Sequence, residues 1–254
     1  MDFHGIPVVP RRDFIETIVS MMEKLAEGLL WYIAFLFSTT LHEASHALAA
    51  YKLGDKTAYE GGQLTLDPIP HMRREPMGTI VVPIISFLIG GWMIGWASVP
   101  YDPHWAYNHP GSSAKMSAAG PAANLLLAIL AALAIRAGML AGVFSPPDTI
   151  DFAHVIDATS GGVFATMAAF INILFSLNLL LFIFNLLPIP PLDGSGVIPI
   201  FLTEERAQRY LEMVHNPMFS FIGIILAWNV FDFVYSPLHL AFVNLLFYPY
   251  ASYQ

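Results

Sequence analysis

The chain has 254 residues, of which 56% are hydrophobic and only 12% charged, and its mean hydropathy is +0.60. Ordinary soluble domains carry roughly a quarter charged residues, so this composition marks a membrane protein. The net charge of −8 argues against nucleic acid, which is bound through Lys and Arg, and the absence of cysteine excludes disulfides and thiolate chemistry.

Residues 1–27 carry Asp2, Arg11, Arg12, Asp13, Glu16, Glu23, Lys24 and Glu27, which leaves no apolar run for a signal-peptide core. Phe14, Ile15, Ile18, Val19, Met22 and Leu25 recur at helical spacing. That pattern predicts an amphipathic helix, lying on the membrane surface or docked on the rest of the protein. Gly28–Tyr51 is apolar except for Glu43 and its neighbouring histidines, long enough for a first span at ~20 residues per crossing. Residues 54–75 are polar, and Gly62-Gln63-Leu64-Thr65-Leu66 alternates like a short strand. Thr79–Ala97 reads as a second span, and residues 98–115, rich in Pro, Asn and Tyr, as a loop.

Met116–Ile135 makes a third span. A loop over 145–157 leads to a helix over Gly161–Leu187, which breaks at Pro188, Pro190 and Pro191. Met213–Phe231 is a fifth span, and the run from Phe233 is a short sixth or an interfacial helix. The predicted fold is an all-α integral membrane protein, a bundle of five to six transmembrane helices with a short β element between the first two. It divides into an amphipathic segment (1–27), a transmembrane core (28–200) and C-terminal helices (201–254). No internal repeat is evident. Orientation is undecided, because Arg11, Arg12, Lys24, Lys115, Arg206 and Arg209 on one side balance Lys52, Lys56, Arg73, Arg74 and Arg136 on the other.

The chemistry concentrates at His42-Glu43-Ala44-Ser45-His46. On a helix, residues four apart are rotated by ~40° and displaced by ~6 Å, so both imidazoles reach one metal ion. Glu43 stands ~60° from His46, beside a metal-activated water rather than on the metal. An ionised Glu in a membrane helix costs at least ~2.5 kcal/mol on insertion scales, so such a residue is kept for function or pairing. The competing reading is three polar side chains satisfying one another in a core. A catalytic zinc takes three protein ligands and keeps one position open. Asp193 is the outstanding third candidate, because it ends the charge-free run from Ala158 and follows three prolines. From spacing alone, a loop aspartate capping a helix is the alternative.

His42-Glu43-Ala44-Ser45-His46, then Gly120-Pro121-Ala122-Ala123-Asn124, then Asn185 through Gly194 resemble the zinc site-2 protease family of intramembrane metalloproteases. Gly62 through Pro68 fits the same pattern, and the resemblance is to the compact branch without a PDZ domain. It implies that His42, His46 and Asp193 hold one zinc ion and that Glu43 is the general base. It further implies that Asn185 stabilises the developing oxyanion or positions the scissile carbonyl; a polar bridge between helices is the plainer role for that residue. Asn124 is expected to pack or hydrogen-bond near the zinc helices. Ser195 departs from the second glycine of many relatives and touches no expected ligand.

The expected activity is hydrolysis of peptide bonds in membrane-anchored proteins by a multi-pass membrane enzyme. The partners are the lipid bilayer and a locally unwound substrate, paired along the strand near Gly62–Leu66. The rivals are a catalytically silent binding scaffold, disfavoured by the intact Glu43, and a zinc transporter, which would spread polar residues along a path. His71, His104, His109, His154, His215 and His239 read as solvated interfacial residues rather than ligands.

Overall fold

The computed structural model describes residues 11–214 and 216–253, with side chains from Ile15 onward and that of Asp232 excepted. Helix α1 (Arg11–Leu53) runs unbroken for 43 residues, so the amphipathic segment and the first expected span are one helix. At ~1.5 Å per residue it is about 65 Å long, twice the ~30 Å hydrocarbon core of a bilayer. Every described residue from Ile15 to Glu27 is exposed, so this part is not docked on the bundle. From Trp31 onward one face is buried, with Trp31, Ala34 and Phe35 in the core. Residues 1–10 of the expected amphipathic segment lie outside the described residues.

Gly54, at φ 112°, turns the chain out of α1. Asp55 then ties two segments together, accepting from the Thr57 N–H and hydroxyl (2.9 and 2.6 Å) and from the Asp102 N–H (2.9 Å). After α2 (Thr57–Glu60), the expected strand at Gly62–Leu66 is absent. A strand needs a partner, and none among the described residues lies alongside; Gly62 turns at φ 71° instead. Asp67 accepts from the Ile69 N–H (2.9 Å) and starts α3 (Pro68–Arg74), with Pro68 in the first turn.

The expected span at Thr79–Ala97 is also revised. A π-helical turn (Met77–Val81) leads into α4 (Val82–Gly90), and the helix stops at Gly91 in the left-handed region, φ 76°. The chain then returns, and the Trp96 N–H donates to the Gly78 carbonyl at 3.1 Å. Hydropathy averages over this reversal because both limbs are apolar. The expected loop over 98–115 contains α5 (Pro103–Asn108), capped by Asp102, and the first turn of α6 (Pro110–Leu140). Each begins with proline, whose missing N–H is harmless there.

Helix α6 is the hub, packing against α1 and against the two helices that follow, α7 (Val163–Asn185) and α8 (Asp193–Val197). Its buried face is built of small residues, among them Ser113, Ala114, Gly120, Ala123, Ala128 and Ala131, which let neighbouring backbones approach. Between α6 and α7, β1 (Phe144–Ser145) pairs antiparallel with β2 (Asp157–Ala158), Phe144 facing Ala158. This two-stranded sheet is the β element of the described residues, and it follows α6 rather than α1. Asn172, buried on α7, fixes the returning segment by accepting from the Val155 and Ile156 N–H groups.

A 3-10 turn (Ile198–Phe201) leads to α9 (Glu204–Val214) and α10 (Pro217–Phe247). The expected fifth and sixth spans are thus one helix running through Pro237, and Met213 belongs to α9. The division falls at Asn216, which accepts from the Met218 N–H (3.0 Å), followed by Pro217 in the first turn. Among the described residues, α6 and α7 are long and apolar enough to cross a membrane; the pair α9 and Pro217–Phe231, bent by 81°, raises this to at most three. Helix α1 carries its ionisable residues inside its apolar stretch. The main core lies where α6, α7, α10 and the hairpin meet, around Ile135, Phe144, Ile156, Phe175, Leu179 and Phe247.

Candidate metal centre

The i, i+4 spacing on α1 brings the His42 and His46 rings edge to face, centroids 4.7 Å apart and planes at 79°. Their Nε2 atoms lie 3.0 Å from each other. Asp193 arrives from the far side of the bundle on the first residue of α8. Proline-rich residues 188–191 end the α7 register, and Gly194 lets the α8 turn press against the preceding loop. A Cβ on Gly194 would run into the Leu186 and Leu187 carbonyls. Asp193 Oδ2 lies 3.1 Å from His42 Nε2, and Oδ1 lies 3.3 Å from His46 Nε2. Among the described residues, this trio is the group of His, Asp and Glu side chains close enough together to hold a metal ion.

The proton positions follow from the partners on the other side of each ring. His46 Nδ1 lies 2.7 Å from the Met116 carbonyl, which can only accept, so that nitrogen carries the hydrogen. His42 Nδ1–H donates to Asn124 Oδ1 at 2.5 Å. With both Nδ1 atoms donating away from the site, the two rings direct their Nε2 atoms at the Asp193 carboxylate. Three such groups converging within 3.0–3.3 Å can share a proton or ligate one metal ion. Tetrahedral zinc ligands at ~2.0–2.1 Å stand about 3.3 Å apart, which is the observed spacing. Gly120 of α6 closes the cradle. A Cβ there would collide with both Nε2 atoms, so the space between them is kept open by the lack of a side chain. The residues fit a zinc ion.

Glu43 is buried beside this group and acts electrostatically on His46. It is not a member of the trio. Asn185 is the last residue of α7, half-buried, and among the described contacts no hydrogen bond joins it to the trio. Asn124 does what the sequence suggested, and more specifically: it holds His42. Its own Nδ2 donates to Asn178 Oδ1 (2.8 Å), and Asn178 Nδ2 donates to Ser38 Oγ (2.8 Å). Asn178 was missed by sequence reasoning. The available signal was an amide inside a charge-free span, where polar groups are retained for a reason.

Two of the histidines expected to be solvated are buried, His71 at 2% and His239 at 8% exposure. His71 is held by the Thr65 carbonyl, and His239 stacks on Tyr235. His104, His109 and His154 have local partners, Asn108, the Trp105 carbonyl and Asp157. His215 lies outside the described residues. Outside the bundle, burial opposes the charge of Asp55, yet the Thr57 hydroxyl with the Thr57 and Asp102 N–H groups outweighs it. Its carboxyl is held below the ordinary range.

Comparison with known proteins bears on the same elements. A model of peptidase family M50 matches residues 30–230. YwhC of Bacillus subtilis, named as a candidate zinc metalloprotease, is 36% identical over 168 residues, or 65% of this chain and 66% of that protein. Rip2 of Mycolicibacterium smegmatis, named likewise, is 32% identical over 198 residues, covering 78% and 66% of the two chains. Rip2 of Mycobacterium tuberculosis H37Rv is 32% identical over 177 residues, covering 70% and 58%. The chain thus spans somewhat under two thirds of the length of these curated relatives. No solved structure matches it. A family match that runs through the two-histidine helix, the Gly120–Asn124 turn of α6 and the Asp193 loop leaves one assignment: the chain belongs to peptidase family M50, the site-2 protease family.

Proposed function

We propose that this chain is a multi-pass intramembrane metallopeptidase holding one zinc ion on His42, His46 and Asp193 and cleaving membrane-anchored proteins. The observation that carries the reading is the convergence of His42 and His46 of α1 with Asp193 of α8 at 3.0–3.3 Å, beside the buried Glu43 carboxylate. Helices α1, α6 and α7 form the crossing core, with α10 alongside. That is fewer crossings than five or six, because α4 is too short and α10 absorbs two of the expected spans.

When bound, zinc supplies the Lewis acidity that acidifies water and polarises a peptide carbonyl. Glu43 takes the proton of the attacking water at its carboxylate and delivers it to the departing amine nitrogen. Asn185, on the helix end facing the proline-rich loop, offers an uncharged N–H donor for the carbonyl oxygen as negative charge develops there. The substrate helix must be locally unwound, since a helical peptide bond is enclosed by its own hydrogen bonds.

The test is cleavage of a membrane-anchored peptide by purified full-length protein in detergent, together with metal analysis. Chelation should abolish cleavage and zinc should restore it. Asp193→Asn should lower both zinc content and cleavage, because a neutral amide is a poor zinc ligand. Full zinc occupancy in that variant would remove Asp193 from the metal, and chelator-resistant cleavage would reject the metallopeptidase.

A further inference from the structure

Behind His42 stands a relay of amides that reaches two further helices. Asn124, Asn178 and Ser38 are each completely buried, on α6, α7 and α1. A primary amide has an accepting and a donating end, so its orientation carries information. If Asn124 presented its NH2 to His42, that ring would have to accept at Nδ1 and carry its hydrogen on Nε2. It could then no longer offer Nε2 as a ligand.

One atom decides between the two arrangements. Asn178 Nδ2 lies 2.8 Å from the Leu174 carbonyl as well as 2.8 Å from Ser38 Oγ. The carbonyl can only accept, so the NH2 of Asn178 must face it and its Oδ1 must face Asn124. Asn124 then has to donate through Nδ2 and accept through Oδ1. His42 in turn must donate from Nδ1, across 2.5 Å, which leaves Nε2 as the nitrogen that faces Asp193. His46 needs no relay, because the Met116 carbonyl instructs it directly.

We infer that Asn178 is a positioning residue for the metal centre: it sets the tautomer of His42 through Asn124, anchored on the Leu174 carbonyl. This rests on the proposed zinc site for its purpose, but the hydrogen on His42 Nδ1 follows from the hydrogen-bond chain alone. The relay also explains a polar amide at a fully buried position of α7, where a leucine would pack at no polar cost. Partners behind a ligating histidine typically carry 10–100-fold in metal affinity, and Asn178 acts one residue further out.

The test uses full-length protein in detergent, stripped of metal, with Asn178→Leu and Asn178→Asp. Imidazole 15N NMR reads which ring nitrogen of His42 bears hydrogen, and chelator competition reads zinc affinity. Wild type should show hydrogen on Nδ1. Asn178→Leu frees Asn124 to turn over, so it should populate a His42 ring without hydrogen on Nδ1 and bind zinc about 10-fold more weakly, the lower end of what a direct partner carries. The protonated carboxyl introduced by Asn178→Asp keeps an acceptor toward Asn124 and a donor toward Leu174, so this variant should restore both readouts. A His42 Nδ1 without hydrogen in wild type would overturn the inference without any variant, which covers a leucine variant that fails to fold. Unchanged tautomer and affinity in folded Asn178→Leu, or no rescue by Asn178→Asp, would overturn it equally. A wild type that shows the expected tautomers but cleaves no peptide would instead sink the peptidase reading and leave the relay standing.

Discussion

The two ends of α1 are one helix in two physical situations. From Ile15 to Glu27 every side chain is exposed, including Met21 at 66%, Met22 at 62% and Leu25 at 68%. From Ser38 to His46 six polar side chains are buried, and three of them have partners on other helices: Ser38 with Asn178, His42 with Asn124 and His46 with the Met116 carbonyl. Local sequence makes both ends helical. Only the second half meets α6 and α7, and only there does the sequence spend polar residues on the inside. Continuity of a helix therefore says little about where its stability and function reside. Those are set by what its face meets.

The largest effect should come from the buried end. Glu43→Gln keeps the side-chain shape and leaves the metal trio intact, but an amide cannot take up a proton. General acid–base groups contribute ~10²–10⁴-fold, so cleavage should fall at least a hundredfold with zinc content near normal. Loss of zinc in that variant would place Glu43 on the metal instead. Next is Gly120→Ala, whose Cβ enters the space between the two Nε2 atoms. Metal analysis should show zinc content falling toward zero, and normal loading would mean that the cradle is not where the metal sits.

Packing tests the comparison directly. Phe35, 1% exposed, should cost about 3–5 kcal/mol when truncated to alanine, whereas Ile18→Ser on the free end should stay within about 0.5 kcal/mol. Comparable losses of thermal stability at both positions would show that the free end is covered by a partner. The Asp55 junction, just beyond the buried end, gives a smaller and pH-dependent effect. Because its folded carboxyl is held below the ordinary value of ~3.9, its contribution is complete above that pH. It fades as pH falls through the lowered folded value. Asp55→Asn should therefore be less stable than wild type at neutral pH, and the two melting curves should converge on acidification below about pH 4. A gap that widened there would contradict the assignment.

Much of the metal trio was legible because its rules are local. His42 and His46 are fixed by helical periodicity, and Asp193 stands out against a charge-free run. Asn178 was not legible, because its meaning depends on which amide end faces which helix, a tertiary fact. The misplaced β element has a related cause: alternation at Gly62–Leu66 describes a side-chain pattern, whereas a strand also requires a neighbour. The span at Thr79–Ala97 failed at Gly91, since hydropathy registers apolar content and is blind to a left-handed turn. The merged α10 shows the reverse error: the sequence reading parts two runs between Phe231 and Phe233, where Asp232 interrupts the apolar stretch, and the helix continues through both Asp232 and Pro237.

Neither group behind the imidazoles is ionic: one is the Asn124 amide, the other the Met116 carbonyl. Soluble zinc sites frequently put a carboxylate in that position. Here the carboxylates at the centre, among the described residues, are those of Asp193 and Glu43, and with a divalent cation their formal charges sum to zero. An extra carboxylate behind either histidine would tip the cluster to net negative inside a low-dielectric bundle, where an uncompensated charge costs several kcal/mol. With a divalent cation bound, an amide and a carbonyl behind the imidazoles would leave the centre formally neutral, and its field would fade within a short distance of the surrounding apolar side chains.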